Sequence, residues 1–127
     1  MPDQSPFDYA WIRVVPRVER EEFVNAGVIV FCPEKNFLDA RIHLDETRLR
    51  ALWRELDIEL VRKHLQAVRD ICAGDHSAGP IAALSKRERF HWLVAPRSTI
   101  IQPSPVHSGL CADPVQSLDH LFEQLRS

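Results

Sequence analysis

Phe23-Val24-Asn25-Ala26-Gly27-Val28-Ile29-Val30-Phe31-Cys32, then Pro33-Glu34-Lys35-Asn36, then Phe37-Leu38-Asp39-Ala40-Arg41-Ile42-His43-Leu44: these residues set the centre of a sheet. The first run reads as a strand over about 23–32. Alternation puts Val24, Ala26, Val28 and Val30 on one face, and Phe23, Asn25, Gly27, Ile29 and Phe31 on the other. Both faces are largely apolar, so the strand belongs in the middle of a sheet, covered on much of both sides. Gly27 inside it signals a bulge or a close backbone approach. Pro33 presets its own φ and Asn36 tolerates a left-handed conformation, which makes 33–36 a turn. The run at about 37–44 then returns as the hairpin partner. Its Leu38, Ala40, Ile42 and Leu44 alternate with Asp39, Arg41 and His43, which predicts one wet face.

Upstream, residues 8–16 read as another strand, with Ala10, Ile12 and Val14 on one side and Tyr9, Trp11, Arg13 and Val15 on the other. Pro16 closes it, and the charged run 17–22 links it to the hairpin. Downstream the period changes. Asp45 can cap a helix to about Leu56, with Leu49, Leu52 and Trp53 inward. Asp57 can cap a second, from Ile58 to about Ala73, with Ile58, Val61, Leu65, Val68 and Ile71 or Cys72 on one stripe. Gly74 suits its C-terminal cap. A polar loop, 75–80, follows. Ser85 and Glu88 have the spacing of a capping box, which starts a short helix through Phe90, Trp92 and Leu93 that ends before Pro96. Residues 99–102 and 106–111 read as short strands interrupted by Pro103-Ser104-Pro105, a connection that suits a sheet edge or a turn because proline lacks the amide donor. Asp113-Pro114 opens a last helix, with Val115, Leu118, Leu121, Phe122 and Leu125 on its apolar face. Strands and helices in clusters predict one α+β domain over residues 1–127: a mainly antiparallel sheet of about five strands, with helices packed on one face.

The 127 residues carry 16 basic and 18 acidic side chains, a net charge of −2. That balance argues against general nucleic-acid binding. No apolar run approaches the roughly 18 residues that a membrane helix needs. Met1-Pro2-Asp3-Gln4-Ser5-Pro6 has no basic segment followed by an apolar one, so no secretory signal is read there. Cys32, Cys72 and Cys111 are far apart and form no CxxC, which reads as reduced, buried thiols in a cytoplasmic protein. None of the six histidines lies four residues from another, and four glycines form no phosphate-binding loop. No metal and no cofactor is expected.

Tyr9-Ala10-Trp11-Ile12-Arg13-Val14-Val15-Pro16, continued through Phe23-Val24-Asn25-Ala26-Gly27-Val28, resembles the opening of a small bacterial family. So do Arg89-Phe90-His91-Trp92-Leu93, Ala95-Pro96-Arg97-Ser98-Thr99 and Ser104-Pro105-Val106-His107. That family is catalogued as domain of unknown function 3037. The resemblance covers most of the chain and implies no activity, cofactor or catalytic set. Members of the family are often encoded beside a HipA-type kinase-like protein, which implies a partner of that class.

Two polar constellations stand out. The first is Arg89, Arg97, Ser98, Thr99, Gln102, Ser104 and His107. A guanidinium fork fits carboxylate or phosphate oxygens, hydroxyls and an amide could complete an anion site, and His107 could serve as acid or base. The competing reading is structural: Arg97 pairs with one of the chain's carboxylates, and the hydroxyls and Gln102 satisfy turn and edge backbone. No acidic residue follows His107 at a spacing that would orient it, so a catalytic triad has no support. The second constellation is Arg13, Arg17, Glu19, Arg20, Glu22 and Asn25, where Arg13 and Asn25 could share a face: either Arg13 makes an internal ion pair with Glu22 or another acid, or the group is the other half of one site. Trp11, Trp53 and Trp92 read first as core anchors.

The leading functional expectation is a non-catalytic cytoplasmic interaction or accessory module that binds a protein, with a kinase-like partner as the candidate. The binding residues would be Arg13, Asn25, Arg89, Arg97, Ser98, Gln102 and His107. The alternative is a small enzyme or binding protein for an anionic or phosphorylated metabolite, which requires Arg97 and His107 to converge on one hollow. Homodimerisation through an edge strand stands beside both, although the prolines oppose it.

Overall fold

The computed structural model describes residues 3–127; Met1 and Pro2, which open the stretch read as lacking a secretory signal, lie outside them. Five strands form one antiparallel sheet: β1 (Ser5–Val14), β2 (Val24–Cys32), β3 (Phe37–Ile42), β4 (Ile101–Pro103) and β5 (His107–Cys111). The order is β3-β2-β1, and β4 and β5 both pair with the free side of β1. The helices are α1 (Glu46–Leu52), α2 (Ile58–Ala73), α3 (Lys86–Leu93) and α4 (Pro114–Arg126). The α+β class and the antiparallel sheet are as the sequence predicts.

The expectation of helices on one face is corrected. The cover of β2 on both sides explains why. One core joins Ile12, Ala26, Ile29 and Phe31 to Leu49, Val61, Leu65 and Phe90 of α1, α2 and α3. A second joins Phe7, Val28, Val30, Cys32 and Cys111 to Leu118 and Leu121 of α4. The central strand had too much apolar surface on both faces for a single helical layer to cover. α4 therefore lies where Asp39 and Arg41 had predicted water, and Arg41 pairs with its Asp119 at 2.6 Å.

The face assignment within β2 is corrected too. Ile12 pairs with Gly27, but Arg13 pairs with Asn25, so Ala26 is an extra residue in the ladder. A one-residue bulge exchanges the faces. Val24 and Ala26 consequently share a core with Ile29 and Phe31, not with Val28 and Val30. Gly27 makes the close approach as well: a Cβ there would lie 2.7 Å from the Arg41 carbonyl oxygen.

The edge of the sheet is one strand in two pieces. β4 pairs with residues 12–14 of β1 and β5 with residues 5–9. Between them Ser104 joins the ladder through its side chain. Its N–H donates to the Trp11 carbonyl, and Trp11 N–H donates to Ser104 Oγ, both at 2.8 Å. The four steps from Pro103 to His107 face three on β1, Ile12 to Tyr9, so the prolines mark a second bulge.

Helix ends follow the local chemistry. Asp57 accepts from Leu60 N–H, Gly74 closes α2 at φ 72°, Ser85 and Glu88 form the capping box, and Asp113 accepts from Val115 N–H before Pro114. α1 ends at Leu52, earlier than expected, and Trp53 lies outside the core at 37% exposure. Trp92 is likewise 40% exposed, so neither of these indoles is the expected core anchor, whereas Trp11 is half-buried and packs against the core beneath α4. Among the described residues no helix is long and apolar enough to cross a membrane.

Candidate functional site

The amphipathic stripe of α2 does not seal against the sheet along its whole length. Toward α3 and β4 it leaves a cavity of about 390 Å³. The apolar walls include Ile12 and Ile29 of the sheet, Val68 and Ile71 of α2, Leu93 of α3, and Ile101 of β4. Polar groups gather at His64, Arg97, Thr99 and Gln102, and the Trp92 ring also lines the space. Such a volume falls within the ~300–1,000 Å³ usual for small-ligand sites.

Arg97 is held firmly on the segment that links α3 to β4. Its Nη2 donates to the Trp92 carbonyl and its Nε to the Ala95 carbonyl, and the guanidinium carbon lies 4.7 Å from the centre of the Trp92 ring. A cation lying over an indole ring and held by two carbonyls is preorganised. Among the described residues no carboxylate lies within ion-pair distance of it, and Nη1 donates to nothing. Gln102 donates from Nε2 to the Thr99 carbonyl at 2.8 Å, and Thr99 Oγ1 donates to the Ile101 carbonyl at 2.8 Å. Those two side chains therefore satisfy backbone, as the structural reading had it. Ser98 is exposed on the same segment but does not line the cavity.

His107 is elsewhere. It lies opposite Tyr9 on β5, with ring centres 5.3 Å apart, and Tyr9 packs into the core beneath α4. The cavity beside Arg97 belongs to the core beneath α2 and α3. Arg97 and His107 thus occupy opposite sides of the sheet, and the convergence that the metabolite reading needs does not occur.

Arg89 leaves the site for a different job. It is 7% exposed, and its Nη1 donates to the carbonyls of Ile71 and Cys72 at 2.8 and 3.0 Å. These are terminal carbonyls of α2: the Ile71 oxygen also accepts from the capping Gly74 N–H at 3.1 Å, and a cation there meets the negative end of the helix dipole. Burial pushes the nearby Cys72 thiol up to about 12.

Arg13 and Asn25 are neighbours across β1 and β2, as expected, and Gln102 is the partner of Arg13 on the other side. Arg13 finds no internal acid. Its guanidinium carbon lies 4.2 Å from the centre of the exposed Phe23 ring, while its Nε is buried without a hydrogen-bond partner. Arg17 and Arg20 pair instead with Glu19 and Glu22 at the surface.

A second hollow, about 540 Å³ and more open, lies between β5 and α4. Its Asp113 is committed to capping Val115 N–H. Among the described residues no group of three His, Cys, Asp or Glu is disposed to hold a metal ion.

His64 is the site residue that sequence reasoning missed, because it reads as part of a solvated helix face. The signal was present: His64, Ala67, Val68 and Ile71 are spaced i, i+3, i+4, i+7, and all four line the cavity.

A family model described as a protein of unknown function (DUF3037) matches residues 9–125, and the chain belongs to that family. Neither the curated proteins nor the solved structures contain a match to it.

Proposed function

We propose that this DUF3037 family member is a non-catalytic accessory module of the bacterial cytoplasm, and that its cavity beside α2 receives an apolar group from a protein partner. The partner class that the family resemblance suggests is a HipA-type kinase-like protein. One observation carries the docking reading: an apolar cavity opens beside a cation that no carboxylate of the described residues neutralises. Water gains little from filling apolar walls, and an apolar side chain gains the area it buries, at roughly 25 cal/mol per Å². The separation of Arg97 from His107 takes support from the metabolite-enzyme reading, whose acid or base would stand on the wrong side of the sheet.

The test is co-expression with a HipA-type kinase-like protein from the same genome, followed by affinity capture. The native chain should retain the partner through a 0.15 M salt wash. Ala67→Trp, which puts an indole into the cavity from the face of α2, should lose it while still melting cooperatively. Equal capture by both chains rejects the cavity as the docking site, and no capture by either rejects the partner.

A further inference from the structure

We infer that the group seated in the cavity is the last residue of a partner chain, with its apolar side chain inside and its terminal carboxylate on Arg97. This rests on the docking reading above and specifies the chemistry of what docks.

Charge comes first. The lining has two ionisable side chains, His64 and Arg97, and both are of the basic type. No Asp or Glu lines it, although acidic residues outnumber basic ones in the chain by 18 to 16. An occupant that brings a negative group meets complementary charge and no like charge.

Two of the three guanidinium nitrogens of Arg97 are bound to the carbonyls of Trp92 and Ala95, and the guanidinium carbon lies over the Trp92 ring. Nη1 is left for an acceptor, and the other two nitrogens hold the cation in place before the ligand arrives. A carboxylate is a better match than a neutral carbonyl, because charge-assisted hydrogen bonds are about twice as strong.

The sheet edge distinguishes a chain end from a passing segment. A segment running past β4 would seek backbone pairing along its free side. β4 has only three residues, Ile101–Pro103. The Thr99 hydroxyl occupies the Ile101 carbonyl at 2.8 Å. Pro103 has no N–H to offer. An extended segment therefore finds little ladder to join. A chain end needs none: one side chain fills the apolar space, and the carboxylate lies where the chain stops.

The experiment titrates the full chain by calorimetry at low ionic strength with three peptides: acetyl-Ala-Ala-Leu as the free acid, the same peptide amidated, and acetyl-Ala-Asp-Leu amidated. The free acid should bind at least about tenfold more tightly than its amide. That ratio should fall toward one in Arg97→Gln and survive in part in Arg97→Lys, each variant shown by thermal melt to be folded. Equal binding of free acid and amide overturns the carboxylate and leaves the docking reading intact. Equal binding of the free acid and the Asp-containing amide overturns the chain end, because a side-chain carboxylate then suffices. If no peptide binds and Ala67→Trp still captures the partner, the docking reading fails with it. If no peptide binds but Ala67→Trp abolishes capture, only the inference fails.

Discussion

Arg89 Nη1 stands 2.8 Å from the Ile71 carbonyl, so a buried cation from α3 closes the last turn of α2. Gly74, next along the chain, takes φ 72° and passes so close that a Cβ there would lie 2.9 Å from Arg89 Nη1. The glycine and the arginine together make the end of α2 one unit. Hydrogen bonds from a charged donor contribute about 1.5–3 kcal/mol, and the Cys72 carbonyl left dry after its removal adds a penalty. Arg89→Leu should therefore lower the unfolding free energy by about 2–4 kcal/mol. Urea melts that show a loss under about 1 kcal/mol would mean that the end of α2 finds other donors.

Gly27→Ala tests the closest backbone approach in the sheet. The added carbon would meet the Arg41 carbonyl oxygen at 2.7 Å and Ile42 Cδ1 at 2.8 Å. The side chain can turn away, but the carbonyl belongs to the β3 ladder and cannot. A destabilisation of about 2 kcal/mol or more is expected, in the range of overpacked cores. An unchanged melting temperature would show that β2 and β3 slide apart freely.

Leu65 is 1% exposed at the middle of the α2 stripe. Leu65→Ala should cost about 2–5 kcal/mol, the span set by how far the surroundings collapse into the space. A loss below about 1 kcal/mol in denaturant would remove that stripe from the core.

High pH provides a fourth test, run with reductant present. Burial raises the Cys72 thiol from 9.0 to about 12, and burial with the neighbouring Cys32 thiol raises Cys111 to about 11. The unfolded chain thus releases these protons at lower pH than the folded one. Unfolded protein binds fewer protons across that window, so stability falls as pH rises from about 9 toward 12. In Cys72→Ala the decline should be shallower over the same window. Identical slopes for the two chains would show that Cys72 ionises alike in both states.

Features written within a few residues were legible in the sequence. Asp57, Gly74, Ser85 with Glu88, and Asp113 with Pro114 each act on backbone no more than a turn away, and each ends its helix where expected. Features that depend on distant partners were not. Arg89 looks like an ordinary helix cation until the end of α2 is placed beside it. The faces of β2 follow simple alternation until a bulge at Ala26 exchanges them, and Gly27 signalled that bulge without saying which residue is extra. Arg97 and His107 share a polar stretch of sequence, but the strand between them carries one to each side of the sheet. His64 was hidden for the opposite reason: its spacing was plain, but the gap it borders exists only once α3 and β4 are in place.

The exchange of faces within β2 also bears on how the molecule comes apart. One length of backbone supplies the floor for α1, α2 and α3 through Val24, Ala26, Ile29 and Phe31, and the floor for α4 through Val28, Val30 and Cys32. Neither layer can strip away without wetting the underside of the other. Heat should accordingly take both in a single cooperative step, with the calorimetric and van't Hoff enthalpies equal.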